Sequence, residues 1–339
     1  MSQSGDPLDP PSPPRTPDPE LGLDRAEVGV AIVSWNVAPL LRRCLRSLLD
    51  GSQDVHLRIV VVDNASTDDT MEILRAEFPQ VEVVANDTNL GFTAANNQAF
   101  RALGLGSTEG SAPPYIWLLN PDTEAQPGAV GELVAYLDRR PGAGAVGPML
   151  RYGDGRLQSS RRRFPTLATG ILESTPLAWH WPNNPVARRF HMADIDPGVA
   201  GPVDWVTGAA VLLRTEALEQ VGTFDEGFFM YSEELDLLRR MGAMGWQTHY
   251  DPAAAVTHHE GRSSEQVVAA RHLHFQRSRV CYFRKHHGRA AAAVVRGGIL
   301  LGYLLESGIE SAKWLLGSQR QLRRERIRAY GRILRDGLG

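Results

Sequence analysis

The sequence predicts an α/β protein: a doubly wound, mostly parallel sheet with helices on both faces, continued by a helical C-terminal extension. Three observations carry this expectation. Short apolar, β-branched runs such as Val28-Gly-Val-Ala-Ile-Val-Ser34 have the composition of strands buried on both faces, as in parallel sheets. Segments with helical spacing lie between these runs, so strand and helix alternate through residues 28–150. Each run also ends on polar residues, which is where open α/β sheets place their ligands.

In chain order, the run from Val28 is followed by a helix over Pro39–Leu49. A second strand, Leu57–Val62, ends at Asp63 and leads into Asn-Ala-Ser-Thr-Asp-Asp-Thr, rich in helix N-cap residues, before a helix over Met71–Glu77. Val81–Val84 is a third strand, Ala94–Leu103 a further helix, and Tyr115–Leu119 a strand ending at Asn120. Gly104–Pro114, rich in Gly, Ser and Pro, reads as a solvent loop. Residues 151–200 lack clear periodicity and read as a long excursion over the sheet. Regular structure resumes over Val203–Arg214, then a helix Thr215–Val221, the segment Phe224–Tyr231 and a helix from Glu233 to about Met244.

A composition of 42% hydrophobic and 22% charged residues excludes a disordered or fibrous chain. The net charge of −3 is unevenly spread: residues 284–339 carry twelve Lys or Arg against four Asp or Glu, a balance of +8, which leaves −11 for the rest. Of the 36 basic residues only Lys285 and Lys313 are lysine, so single arginines carry little weight and no nucleic-acid partner is expected. Cys44 and Cys281 lack C-x-x-C spacing, which argues against a disulfide framework or a cysteine-bound metal and fits a reducing cytoplasm. Residues 1–20 contain seven prolines among Ser, Asp and Gly, so residues 1–27 are expected to form a disordered leader rather than a signal peptide.

The polar strand ends are Ser34-Trp35-Asn36, Asp63-Asn64, Asn89-Leu90-Gly91-Phe92 and Asn120-Pro121-Asp122, and one crevice would collect all four. A carboxylate there suits a ribose or base edge, and a second could hold a divalent cation against phosphates. Taken singly, an Asp after a strand is commonly a helix cap and Asn-Pro-Asp a turn former. Their recurrence at successive strand ends favours a site.

Val60-Val-Val-Asp-Asn-Ala-Ser-Thr-Asp68, Asn89-Leu-Gly-Phe92, Leu118-Leu-Asn-Pro-Asp-Thr123, Gly222-Thr-Phe-Asp-Glu226 and Phe228-Phe-Met-Tyr-Ser-Glu-Glu-Leu-Asp-Leu237 together resemble the inverting family 2 glycosyltransferases of GT-A fold, a Rossmann-like arrangement. Within that family the chain is most similar to bacterial rhamnosyltransferases acting on lipid-linked or surface glycans. The resemblance covers residues 28–288, a nucleotide-sugar half (28–150) and an acceptor half (151–288), with 289–339 as a basic helical extension.

The resemblance implies a nucleotide-sugar donor, dTDP- or UDP-linked, and a glycan or polyprenyl-diphosphate-linked acceptor in cell-envelope or exopolysaccharide synthesis. It implies that Asp63 holds the nucleotide base or ribose, with Ser34, Asn36, Asn64, Asn89, Gly91 and Asn120 lining the donor pocket. Asp122 would bind a divalent metal, Mg or Mn, in the place of the family's D-x-D motif, and His258 in His-His-Glu-Gly would complete that site. Glu234 falls at the catalytic base, a position more often occupied by aspartate, and Glu233 remains the alternative. Asp236 is expected to organise the helix start. Arg161-Arg-Arg163 reads equally as an anion contact and as a solvated loop, and Trp179, Trp181 and Trp205 could stack on sugar faces, although core or lid packing is the commoner fate of tryptophan.

Val294–Leu305 is apolar but short of the roughly 20 residues that span a bilayer. Leu300, Leu301, Leu304, Leu305, Ile309, Ala312, Leu315 and Leu316 keep helical spacing, and Gln319–Arg335 adds seven arginines. This pattern suits either an interfacial helix on an anionic membrane or a helical hairpin packed on the domain. The expected location is cytoplasmic, peripheral to the inner face of the cell membrane. Three rival functions remain. Another hexosyl or N-acetylhexosaminyl transferase of the same family is one. A sugar nucleotidyltransferase is a second, disfavoured because no Gly-rich phosphate loop follows Val33. A non-catalytic nucleotide-sugar or glycan-binding module is the third, disfavoured by the pairing of Asp122 with a candidate base.

Overall fold

The computed structural model describes residues 27–52, 54–108, 112–172, 181–259, 268–317 and 319–338. Apart from Glu27, the expected leader lies outside the described residues, as does Trp179.

The alternating half builds the sheet's parallel portion. Strands β1 (Glu27–Ser34), β2 (His56–Asp63), β3 (Glu82–Ala85) and β4 (Tyr115–Leu119) pair in parallel in the order β3-β2-β1-β4. Helices α1 (Ala38–Gly51), α2 (Thr70–Glu77) and α3 (Phe92–Ala102) connect them. Successive β1 side chains point to opposite faces, Val28, Val30 and Ile32 into a core with α1, α2 and the helix Ala129–Asp138, and Ala31 and Val33 into a second core. That double burial is why the strand reads as an unbroken apolar run rather than an alternating one. Each fully buried Leu or Ile, such as Leu41 and Leu45, contributes roughly 2 kcal/mol of burial.

Beyond β4 the sheet departs from simple winding. After β5 (Thr123–Ala125), α4 (Ala129–Asp138) and β6 (Ala143–Arg151) come β7 (Leu157–Gln158), β8 (Arg161–Arg162), α5 (Leu167–Leu172), α6 (Pro185–Phe190), β9 (Gly201–Val203), β10 (Trp205–Val206) and β11 (Ala210–Arg214). The interval 151–200 thus holds short elements where the sequence predicts none. The stretch Val203–Arg214 divides into pieces with separate partners: β9 pairs with the later strand Gln247–His258, β10 with β8, and β11 lies antiparallel between β4 and β6. Such pairings are fixed by residues distant in sequence, which local periodicity does not register.

Helices α7 (Thr215–Val221) and α8 (Glu233–Ala243) cover the second core, and β12 (Gln247–His258) runs parallel to β6 and antiparallel to β5, completing the order β3-β2-β1-β4-β11-β6-β12-β5. A long helix α9 (Val268–Leu315), broken at Gly288 with φ of 86°, is followed by α10 (Arg320–Asp336), which folds back on it. Tyr303 meets Tyr330, and the ion pair Arg277–Asp336 closes the far end.

Helix α9 corrects the short count made from Val294–Leu305. Arg271–Leu315 is one helix long and apolar enough by length and composition to cross a membrane, with a window of mean hydropathy 1.4, of which 28% is buried in the protein. It continues through Glu306 and Glu310 because both turn inward, and Arg323 neutralises Glu310 with two hydrogen bonds of 2.8 and 3.0 Å.

Candidate active site

Parallel pairing brings the ends of β1 and β2 into register, so Ser34 lies beside Asp63, and β4 ends next to β1. Both side chains are buried, yet Ser34 Oγ and Asp63 Oδ1 have no hydrogen-bond partner, while Asp63 Oδ2 accepts from Ser66 N at 3.2 Å. Asn36 adopts a positive φ of 52° and its Oδ1 accepts from Thr67 N at 2.7 Å, tying the β1 loop to the β2 loop. These loops form one wall of the crevice.

Asn64 and Asn89 act on the protein itself. Asn64 Nδ2 donates to Asn89 Oδ1 at 2.9 Å and to Gly91 O at 3.2 Å, and Asn64 Oδ1 accepts from Leu90 N and Asn86 Nδ2. Gly91 has φ of 85°, and a Cβ there would lie 2.6 Å from Phe229 O, which accepts from Phe92 N at 3.0 Å. Only glycine fits this approach. These three residues therefore lock the β3–α3 turn to the Phe224–Tyr231 segment.

The other wall is assembled by long-range pairing. Antiparallel β5 and β12 put His258 opposite Thr123, so the His258 imidazole reaches the neighbouring Asp122, with Nε2 at 3.3 Å from Oδ1. Asp122 is 6% and His258 8% exposed. His258 Nδ1 lies 3.0 Å from Gln158 Oε1, at the end of β7. With the amide oxygen facing Nδ1, that nitrogen donates, which leaves Nε2 turned toward the carboxylate. The 3.3 Å between Nε2 and Oδ1 matches the separation of adjacent ligands of an octahedral cation, roughly 3 Å for metal–oxygen distances near 2.1 Å. His259 turns the other way, with Nε2 2.6 Å from Glu124, which leaves His258 as the metal candidate. No group of three or more His, Cys, Asp or Glu gathers at a metal-binding point among the described residues, so remaining ligands would come from a bound diphosphate or water.

Asn120 N donates to Ala209 O at 2.9 Å, and the adjacent Gly208 N donates to Glu234 Oε1 at 3.2 Å. Through residues 208–209 the base candidate is thus held beside Asn120-Pro121-Asp122. Gly208 permits this, since a Cβ there would sit 3.3 Å from Glu234 Cβ. Helix α8 begins after two consecutive non-glycine residues with positive φ, Tyr231 at 71° and Ser232 at 65°, a strained turn of about 1–3 kcal/mol per residue. It is held by Ser278 Oγ donating to Met230 O at 2.7 Å.

The carboxylates at the start of α8 divide by environment. Burial pushes the Glu234 carboxyl above the usual range, although the Gly208 N–H and the nearby Arg162 charge pull it back. Glu233 is driven well above by deeper burial and by the Glu234 charge beside it. Each has an Oε2 without a partner. Glu234 is the more accessible of the two. Asp236 is fully buried, and burial alone would raise it, but His286, Lys285 and Arg240 hydrogen-bond to it and bring it down to about 2.

Arg161 and Arg163 serve the fold, Arg161 donating to Ile195 O and Arg163 pairing with Asp194 at 3.3 Å. Trp205 is buried and donates to Arg163 O, whereas Trp181 is exposed. Three site residues escape the sequence pattern: Gln158 in a weakly periodic stretch, and Thr207 and Gly208 just before β11. Thr207 Oγ1 and Asn120 Oδ1 add two more buried, unpartnered polar atoms to the crevice. Buried polar groups are ordinarily satisfied, so orphans gathered at strand ends mark the place of a polar ligand.

A mostly parallel sheet of this order, with a carboxylate–imidazole pair and an elevated carboxyl at its strand ends, is the arrangement of a glycosyltransferase of the GT-A type. The family described as Glycosyltransferase like family 2 matches residues 25–273, and the chain belongs to it. It is 34% identical over 250 residues to the N-acetylglucosaminyl-diphospho-decaprenol L-rhamnosyltransferase of Mycobacterium tuberculosis, covering 72% of this chain and 80% of that one. The rhamnosyltransferase WbbL of Escherichia coli K12 is 27% identical, with 70% and 86% covered. Among solved structures, the mannosyltransferase PcManGT of Pyrobaculum calidifontis, in complex with GDP-Man and Mn2+, aligns with a TM-score of 0.53 at 17% identity, over 94% of this chain and 87% of that one, a likeness of fold.

Proposed function

We propose that this glycosyltransferase is an inverting, metal-dependent enzyme that moves L-rhamnose from dTDP-rhamnose to a sugar carried on a polyprenyl diphosphate in cell-envelope glycan synthesis. The observation that carries the reaction type is the approach of Glu234, through Gly208 and Ala209, to the segment bearing Asp122. The names of the relatives supply the sugar and acceptor class.

In this mechanism Asp63 and Ser34, with their unpartnered oxygens, receive the nucleoside of the donor, while Asn36 shapes the wall and Asn64, Asn89 and Gly91 keep it rigid. Asp122 and His258 would hold a divalent cation, Mg or Mn, which when bound supplies positive charge to offset the charge developing on the departing diphosphate. Asn120 offers its side-chain oxygen to the donor from the same side. Glu234 takes the proton of the acceptor hydroxyl as that oxygen attacks the anomeric carbon on the face opposite the leaving group, which inverts the configuration. Its raised pKa makes it a stronger base than an ordinary glutamate. Glu233, buried beside it, is itself held well above the usual range by burial and by the Glu234 charge.

Purified full-length chain given dTDP-rhamnose, a synthetic polyprenyl-diphosphate N-acetylglucosamine and Mg or Mn should form a disaccharide lipid whose new linkage has the opposite anomeric configuration to the donor. Retention of configuration, or turnover undiminished by chelation, would overturn the mechanism. Transfer from a UDP-hexose or UDP-N-acetylhexosamine alone would leave the mechanism and reassign the sugar.

A further inference from the structure

We infer that the C-terminal hairpin is a docking surface for an anionic phospholipid bilayer, laid along the membrane interface by the outward face of α9. That face runs Val294, Leu301, Leu304, Leu305, Leu315 and Leu316, all exposed, Leu315 to 70% and Leu316 to 86%. Separations of seven, then three and four, then ten and eleven residues keep these side chains on one helix stripe, about 33 Å long at 1.5 Å per residue. The positions between the leucines on this stripe are Gly297, Gly308 and Ala312, so it carries no charge to hydrate.

The inward face is the reverse. Glu306 and Glu310 are buried there, with Glu310 bonded by Arg323 and within 3.6 Å of Lys313 and Arg326. A helix that hides carboxylates and shows leucines inverts the partition of a helix facing water, and it does so while already packed on α10 and on the catalytic region through Val295 and Gly170. An exposed apolar stripe of this length marks a contact with something apolar.

The net charge of the hairpin selects the partner. Residues 284–339 carry a balance of +8, and Arg320, Arg324, Arg326, Arg328 and Arg332 on α10 are exposed. A second copy would bring the same +8 against it, whereas an anionic lipid surface is attracted to it. Spanning is opposed by the hairpin itself, because α10 with its seven arginines packs along α9 and would be drawn into hydrocarbon with it. An apolar stripe with a basic partner helix lies in the interface.

The hairpin also reaches the active site mechanically. Before Gly288, α9 grips the base-bearing helix α8 through Lys285 Nζ and His286 Nε2, 2.9 and 2.7 Å from Asp236, and through Arg239 donating to Tyr282 Oη at 2.6 Å. A bilayer under α9 therefore fixes the height of Glu234 above the membrane. This inference stands on the hairpin's own residues and does not need the acceptor proposed above.

Co-sedimentation of the full-length chain with phosphatidylcholine vesicles, with and without phosphatidylglycerol, tests it. Binding at least tenfold tighter to the anionic vesicles, weakened by salt, is expected. The variant Leu301→Ser/Leu305→Ser/Leu316→Ser should lose tenfold or more of that binding with an unchanged circular dichroism spectrum, and Arg324→Glu/Arg328→Glu should lose binding and salt sensitivity together. Equal sedimentation with both vesicle types, or wild-type binding by the leucine variant, would overturn the inference. So would a wild-type dimer in light scattering that the leucine variant converts to monomer while lipid binding is unaltered.

Discussion

The strand-end crevice and the C-terminal hairpin both break the usual partition of polar and apolar groups, in opposite directions. The crevice buries oxygens of Ser34, Asp63, Asn120, Thr207, Glu233 and Glu234 without hydrogen-bond partners. The hairpin exposes leucines and buries Glu306 and Glu310. Each inversion costs free energy in the isolated chain, and the polar ligand proposed for the first and the anionic lipid surface proposed for the second would relieve it. Between them, the Asp236 cluster obeys the rule, a buried carboxylate bonded to Arg240, Lys285 and His286, and it joins the two regions. Violations thus mark the places that meet ligands, and satisfied networks mark the places that hold them apart.

The sharpest test of this contrast is to remove the reactive groups of the crevice. Glu234→Gln and Asp122→Ala should each lower transfer by roughly 10²–10⁴-fold, while circular dichroism and the unfolding midpoint show the fold retained. Full turnover by either variant would reduce the crevice to a structural feature. The joining cluster should behave in the opposite way: Asp236→Ala strands Lys285 and His286 against α8 and should cost about 3–5 kcal/mol in urea unfolding. A loss below about 1 kcal/mol would mean the cluster holds little.

Gly91→Ala forces a Cβ against Phe229 O at a positive φ and should cost about 1–3 kcal/mol, since no side chain can swing aside to admit it. The pH dependence separates the two kinds of buried carboxylate. Glu233 and Glu234 have raised values in the fold, so their protonated forms stabilise it fully below the ordinary value of 4.5, and that contribution is lost as pH rises through the raised values. Glu233→Gln should therefore raise the melting temperature relative to wild type progressively as pH increases. The transfer rate should fall on the acid side at a pH above that of an ordinary glutamate. Asp236 has the opposite sign: its stabilisation is present above 3.8 and disappears as pH falls through about 2. A wild-type melting curve insensitive to Glu233→Gln at every pH would remove the strain assigned to the crevice. The smallest expected effect is at the hairpin, where replacing Leu301, Leu305 and Leu316 by Ser should change unfolding free energy by less than about 0.5 kcal/mol per site, because the face is already in water.

Local chemistry made much of this legible. The apolar runs from Val28, Leu57 and Tyr115 became β1, β2 and β4, since strands buried on both faces need no pattern beyond continuity. Asp63 and Asn120 stood out because they terminate such runs. Gln158 could not, since its place beside His258 depends on the β6–β7 hairpin and on a pairing 100 residues away. The antiparallel insertion of β11 was equally hidden, because Ala-Val-Leu-Leu is as apolar as a parallel strand and only its partners, β4 and β6, reveal its direction. Asn64 and Asn89 looked like donor contacts from their position after strands. Their amides instead bind each other and the Gly91 turn, a use that composition cannot distinguish from the first.

The sequence by itself determined the alternation of strand and helix, the polar residues at the strand ends, the acidic start of α8 and the apolar-then-basic tail, all of which depend on neighbours a few residues apart. Tertiary structure alone decided that Gln158 backs His258 beside Asp122, that Glu234 reaches Asn120-Pro121-Asp122 through Gly208, and that the tail turns its carboxylates inward and its leucines out. Those outcomes depend on which strands pair across the sheet and how α9 lies against α10, contacts set by the free energy of the whole chain rather than by any short segment of it.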